Sequence, residues 1–312
     1  MKSASTPKSH RDGGFALVVV IWGVGLIALL LLASIAAARW RLMASANSAA
    51  SVQAGQLAEA AVRIAGSRLA SGTAASAGSA VDGTPTYCAL PGGARAAISV
   101  EDEGGKVDLN GAPLKLLEAL FIGLGVDAGA SADIARAIAD YRTASPIAAV
   151  TLPGPGPSLA PKHALFQTVF ELDQVAVIPP ALARELAPFV TTSSARAGLD
   201  PALAPPALFA ALSGAALSDV QALAAAPYPN RLDRTDARFP LAFIQASPGG
   251  VYLVHAEAMM ASGAVAVREQ LSDVRQVLRG GPKVLERRAG RSRYVDHLRE
   301  LLATDAPAVP GC

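Results

Sequence analysis

Side chains with chemical capacity are few and unevenly placed in this 312-residue chain. Glu101, Asp102, Glu103 and Asp108 bring four carboxylates into one short stretch, a density at which a hard cation or an acid–base pair becomes conceivable. They lack the regular ligand spacing of an EF-hand loop, so they read as a solvated edge or cap. His10, His163, His255 and His297 are scattered along the chain, which leaves little for a metal cluster or a nucleophile–base arrangement. His163 and His255 read as surface or sheet residues. There is no Gly-x-Ser-x-Gly, His-Glu-x-x-His, phosphate loop or Cys-x-x-Cys, so the expectation is a protein that is not an enzyme. Cys88 and Cys312 allow one intramolecular disulfide, whose long loop would stabilise by about 5 kcal/mol at most. Two free thiols are the alternative.

The elements that must position these residues follow from composition. The chain is 52% hydrophobic and 17% charged, with a mean hydropathy of +0.36, too apolar for a disordered chain and unusually apolar for a soluble enzyme. The excess is local. Residues 15–38 form an uncharged run of 24, which as a helix would extend about 36 Å, enough to cross a bilayer once. The alanine-rich stretch 207–217 competes poorly, because Pro201, Pro205, Pro206, Pro227 and Pro229 bracket it, and it reads as a short buried helix. Ahead of the span, Lys2, Lys8 and Arg11 place a short leader in the cytoplasm, with the bulk of the chain on the other side. Three treatments of this terminus compete: a secretory signal cut after the small residues Ala36 to Ala38, an uncleaved anchor, or a cut after Gly14 that leaves Phe15 as an aromatic amino terminus.

Helical spacing continues past the span to about Ala70, with Glu59 placed four residues before Arg63. Residues 71–93 read as a loop and 94–100 as a short strand. Asn110 suits a helix N-cap region and Pro113 a first helical turn, followed by Leu114, Leu116, Leu117 and Leu120. Gly123 and Gly125 end that helix, and 131–141 supply a second. Residues 251–257 alternate as a strand, 261–263 can turn and 263–271 return, which makes a hairpin. Net charge is only +2, yet 101–142 carry eight acidic and four basic side chains, and 268–299 carry nine Lys and Arg against four acids. The basic stretch suits a solvated helix, with anionic headgroups or an acidic partner as its potential contacts.

Two resemblances emerge from these residues. Gly14-Phe15 at the polar-to-apolar boundary is similar to the class III signal of type IV prepilins and pseudopilins, in which a prepilin peptidase cuts after Gly and methylates the new N-terminal Phe. Most pilins carry Glu at the fifth mature position; here it is Val19. The phrases EDEGGKVDLNGAP (101–113), IARAIADYR (134–142), FELDQV (170–175) and ALARELAPFVT (181–191) resemble the minor pseudopilin K family of type II secretion systems, also called general secretion pathway protein K, in which that Glu is likewise typically absent.

The resemblance implies an α+β pseudopilin fold: a long N-terminal transmembrane helix, a small antiparallel sheet and a large inserted all-helical domain. It divides the chain into a leader (1–14), the membrane part of the helix (15–38), its periplasmic part (39–70), a loop and first strand (71–102), the insert (103–217) and a C-terminal part with a β-hairpin and basic tail (218–312). It further implies cleavage between Gly14 and Phe15, N-methylation of Phe15, an inner-membrane location, and a tip complex with the I and J type minor pseudopilins that supports export of folded proteins. Some members bind calcium in the helical domain, but the Pro- and Gly-rich 143–161 removes candidate ligands here, so the expectation is no cofactor, with calcium as the alternative. The chain also departs from the family at Pro179-Pro180, where a glycine-containing turn is usual. A rival from another class is a membrane-tethered helix-hairpin-helix protein of DNA uptake, suggested by Ile122-Gly123-Leu124-Gly125; the net −4 of 101–142 opposes phosphate binding.

Overall fold

Two periodicities, 3.6 and 2, sort the chain into helices and strands. The computed structural model describes residues 13–71, 81–144, 162–225, 238–278, 281–304 and 309–310. Helix α1 (Gly13–Ala70) contains no proline. Residues 13–53 form a unit by themselves, with side chains from Leu17 through Met43 exposed. The second unit begins at Ala54. There α1 turns Ala54, Ala58, Ala61, Val62, Ala65 and Leu69 inward at helical spacing. The side chains from Ala61 to Leu69 pack on Cys88, Ile98, Val100, Val254 and Ala256.

Those partners lie on a six-stranded sheet of order β7-β6-β5-β2-β1-β8, built from β1 (Thr86–Ala89), β2 (Arg95–Asp102), β5 (Val251–Met259), β6 (Val265–Leu278), β7 (Gly281–Arg288) and β8 (Val309–Pro310). All neighbours are antiparallel except β1 and β8, which pair in parallel. The β5–β6 hairpin is the one that alternation implies. On β5 the even residues Tyr252, Val254 and Ala256 meet the α1 side, while Met259, with Ala97, meets Leu298 of α7 (Val295–Ala303) on the other.

Between β2 and β5 the chain leaves the sheet to form a helical unit with its own core. Helix α2 (Leu114–Gly123) buries Leu116, Leu117, Leu120 and Phe121. Helix α3 (Ala128–Arg142) is capped by Asp127, whose carboxylate accepts the Ala130 N–H, and buries Ile134, Ala135, Ile138 and Tyr141. Helices α4 (Pro180–Leu186), α5 (Pro206–Ser213) and α6 (Leu217–Ala225) complete it. Rings lock the packing, with Tyr141 stacked on Phe166 at 4.6 Å and Phe209 against Phe239 at 5.2 Å between centroids. The Pro179-Pro180 pair is a start signal: Pro179 is the extended N-cap residue of α4, and Pro180 occupies the first turn, where a missing N–H costs nothing.

The structure corrects several expectations. Helical packing does not stop at 217, because Val220 of α6 and Phe239 share the same core. The insert is not all-helical: β3 (Val107–Asp108) pairs in parallel with β4 (Val190–Thr191). Thr86–Ala89, expected as loop, is a strand, since its pairing partner β2 lies just beyond the turn at 91–93. Pro113 is itself the α2 N-cap, and Asn110 is engaged elsewhere. Most of the described part of the basic stretch 268–299 is strand rather than solvated helix.

Gly123 and Gly125 test the packing in different ways. A Cβ at Gly123 would lie 2.2 Å from the Ala211 carbonyl oxygen, whereas Gly125 has open space but a φ of +86°. Gly123→Ala should therefore destabilise by about 1–3 kcal/mol through overpacking, and Gly125→Ala by about 1–2 kcal/mol through left-handed backbone strain. Urea denaturation of the full chain in detergent checks both, and unchanged stability of Gly123→Ala would contradict the close approach.

Candidate functional site

Two polar assemblies account for the sequence phrases that stand out. The first ties the helical unit together. Asp108 is fully buried, and its carboxylate accepts N–H groups from Asn110 (2.7 Å), Gly111 (2.9 Å) and Ala195 (2.7 Å) and the Ser194 hydroxyl (2.9 Å). Ala195 is held at φ +54°, a conformation that this anchor stabilises. Asn110 donates from Nδ2 to the Phe166 carbonyl (2.9 Å) and accepts the Phe166 N–H (2.8 Å). Arg142 donates to the carbonyls of Leu109 and Ala112. The Tyr141 hydroxyl meets Gln174 at 2.8 Å, and Lys162 pairs with Glu171 at 2.9 Å. The VDLN, ADYR and FELDQV phrases, distant in sequence, thus close one hydrogen-bonded clasp.

The second assembly lies on the sheet face opposite the α1 helix. Lys106, buried, donates to Glu101 and Glu103 at 2.7 Å each. Arg293 bridges Glu101 to Glu269, the latter at 3.3 Å. Glu269 also meets Arg288 at 2.6 Å and His255 Nδ1 at 2.8 Å. The other ring nitrogen of His255 meets Glu257 at 2.9 Å. Glu257 further accepts the Ser292 hydroxyl (2.8 Å) and the backbone N–H groups of Arg293 and Tyr294. Because both partners of the ring are carboxylates, both nitrogens donate and His255 is an imidazolium. Burial alone would lower the His255 pKa, but its bonds to Glu257 and Glu269 outweigh that and raise it. Burial pushes the carboxyls of Glu101 and Glu269 up, but Lys106 and Arg293 hold Glu101 at about 2, and His255 with Arg288 and Arg293 hold Glu269 at about 2.

The expected carboxylate cluster is therefore neither a solvated edge nor one site. Glu101, Asp102, Glu103 and Asp108 are all buried, and their oxygens are taken by Lys106, Arg293, Ser247 and backbone N–H groups. No group of three His, Cys, Asp or Glu side chains poised for a metal occurs among the described residues. His255 is a sheet residue, and its network escaped sequence reading because its partner Glu269 lies 14 residues away on the next strand and Arg293 links that carboxylate to Glu101, which lies 192 residues before Arg293; the polar residues at inward positions 255, 257 and 269 are the signal that marks it. His163 sits at a positive φ of 51°, in the segment joining the clasp.

Phe15, 79% exposed, lies in the first turns of α1 and Val19 is 53% exposed. Leader residues 1–12 lie outside the described residues. Among the described residues, one helix is long and apolar enough to cross a membrane, and its apolar window is unburied. Cys88 is fully buried on β1, with Val309 of β8 as its register partner; Cys312 lies outside the described residues. The hairpin between α2 and α3 uses its amides internally: Leu124 N–H donates to Leu120, Gly125 to Ile122 and Val126 to Phe121.

No protein-family model matches the chain, and no curated protein matches it. Among solved structures, the chain is similar to one in the crystal structure of the GspK-GspI-GspJ complex from the enterotoxigenic Escherichia coli type 2 secretion system, at 16% identity and a TM-score of 0.47, with 76% of this chain and 98% of that chain covered.

The network sets the pH dependence of stability. His255 has a folded pKa above its ordinary 6.5, so its contribution is complete below pH 6.5 and is lost as pH rises through the folded value. Glu101 and Glu269, at about 2 against 4.5, contribute fully above pH 4.5 and lose that contribution as pH falls toward 2. Thermal melts across pH should show stability falling on both sides, and His255→Gln should flatten the alkaline fall; an unaltered alkaline limb in that variant would contradict the imidazolium assignment. A bridge between Cys88 and Cys312 predicts no titratable thiol in denaturant before reduction and two after it; two in both conditions would remove the bridge.

Proposed function

We propose that the chain is a minor pseudopilin of the K type, a non-enzymatic subunit at the tip of a type II secretion pseudopilus. The observation that carries this reading is the change of character along α1: an exposed, uncharged stretch suited to lipid gives way to an alanine-lined face packed on an antiparallel sheet. Such a helix combines a membrane anchor with the backbone of a folded head. The order of the Gly14-Phe15 junction, Val19 and the clasp phrases supports the same family.

In this reading the leader is cytoplasmic, prepilin peptidase cuts after Gly14 and methylates Phe15, and the bulk of the chain lies in the periplasm. The I and J type minor pseudopilins are its partners. Val19 supplies no carboxylate at the fifth mature position, so the subunit brings neither the cost of a charge in hydrocarbon nor the pairing such a charge would give. The helical unit inserted between β2 and β5 adds bulk that opposes stacking of a further subunit above it, which suits an initiating tip position.

Two observations weigh against DNA uptake as the function. The hairpin amides that would hold a phosphate are engaged with Leu120, Phe121 and Ile122, and the surrounding segment carries excess negative charge. An enzyme reading gains nothing from His255, whose ring is fully buried with both nitrogens occupied. N-terminal sequencing of the mature protein tests the proposal. N-methyl-Phe15 is expected, and a start after Ala38 would contradict it.

A further inference from the structure

The segment 287–293, Arg-Arg-Ala-Gly-Arg-Ser-Arg, holds four arginines and no acid, and the assembly role leaves it unexplained. Three of the four are engaged. Arg287 donates to Gln270 and approaches Glu59, Arg288 meets Glu269, and Arg293 meets Glu101 and Glu269. Arg291 meets no carboxylate among the described residues and lines a cleft of about 500 Å³. That volume lies within the range of ordinary ligand pockets.

Phe170 and Arg184 from the helical unit line the same cleft. Phe170 is 51% exposed, and its ring lies 5.2 Å under the Arg288 guanidinium. Arg184 spends only its Nε, on the Pro180 carbonyl at 2.9 Å. Val169, Ala183 and Leu253 give the cleft apolar walls. Of its two carboxylates, Glu269 is consumed by His255, Arg288 and Arg293, which leaves the exposed Asp173. Arg184 and Arg291, with guanidinium donors to spare, thus share the lining with one unconsumed carboxylate and an exposed aromatic ring.

The geometry points to a docking cleft for a partner polypeptide, one that inserts an apolar side chain against Phe170 and places flanking carboxylates on Arg184 and Arg291. Guanidinium forks bind carboxylates through paired hydrogen bonds, and concave apolar walls suit a side chain rather than a flat headgroup layer. The inference is independent of the assembly role, since the cleft is formed within one chain.

Fluorescence anisotropy on the full chain in neutral detergent tests it, with a labelled, N-acetylated and C-amidated hexapeptide Glu-Asp-Leu-Phe-Glu-Asp as probe. Saturable binding is expected, weakened about tenfold or more by combined Arg184→Glu and Arg291→Glu, and weakened less by the paired Lys substitutions. The melting temperature of the Glu variant should match the parent, because both side chains are surface-accessible. The amide analogue Gln-Asn-Leu-Phe-Gln-Asn should bind weakly. Absent saturation, equal binding of the amide analogue, indifference to the charge reversals, or displacement by phosphatidylglycerol vesicles would each overturn the proposal, the last in favour of a lipid surface.

Discussion

Four carboxylates, Glu101, Glu103, Glu257 and Glu269, are taken largely out of water on one face of the sheet, together with Lys106, Arg288, Arg293 and the His255 imidazolium. Desolvation costs each ion several kcal/mol unless geometry and partners compensate it. The signs balance only when His255 is protonated, so one proton completes the set. The network spans β2, the turn after it, β5, β6, the end of β7 and the segment leading into α7. Removing a single member would strand a charge that the others are placed to neutralise. The register of the sheet, the path of residues 289–294 and the floor of the cleft all depend on that balance.

The clasp around Asp108 and Asn110 performs a related task with less charge. A buried carboxylate collects three backbone N–H groups, and a buried-edge amide both donates to and accepts from Phe166. Loops that leave and rejoin the helical unit are thereby fixed without long regular structure. The insert can then be large while its two ends remain neighbours on adjacent strands β2 and β5.

Legibility in the sequence followed the range of the interactions. The apolar helix, the β5–β6 hairpin around Gly263 and the two helices flanking Gly125 were readable because local periodicity and turn chemistry determine them. Glu101 and Lys106 were not readable as a buried pair, since acidic and basic residues near a turn more often face solvent. Arg288 and Arg293 looked like a solvated basic run because the carboxylates that draw them inward come from Glu101 and Glu269, on other strands. Asn110 looked like a cap, whereas its partner Phe166 lies 56 residues away. Three of the phrases that suggest a family, VDLN, ADYR and FELDQV, meet in the clasp, whereas Glu101, Glu103 and Lys106 of the first phrase belong to the buried charge network.

The proposed function makes this chain a lipid-anchored subunit that works by assembly. Native mass spectrometry of the full chain, extracted in mild detergent from membranes of the cells that encode it, addresses that claim most directly. The account predicts a chain lacking residues 1–14, heavier by one methyl group, in a complex with two further subunits that each carry an N-terminal apolar helix. A solitary chain that retains its leader, or one bound to nucleic acid, would contradict it.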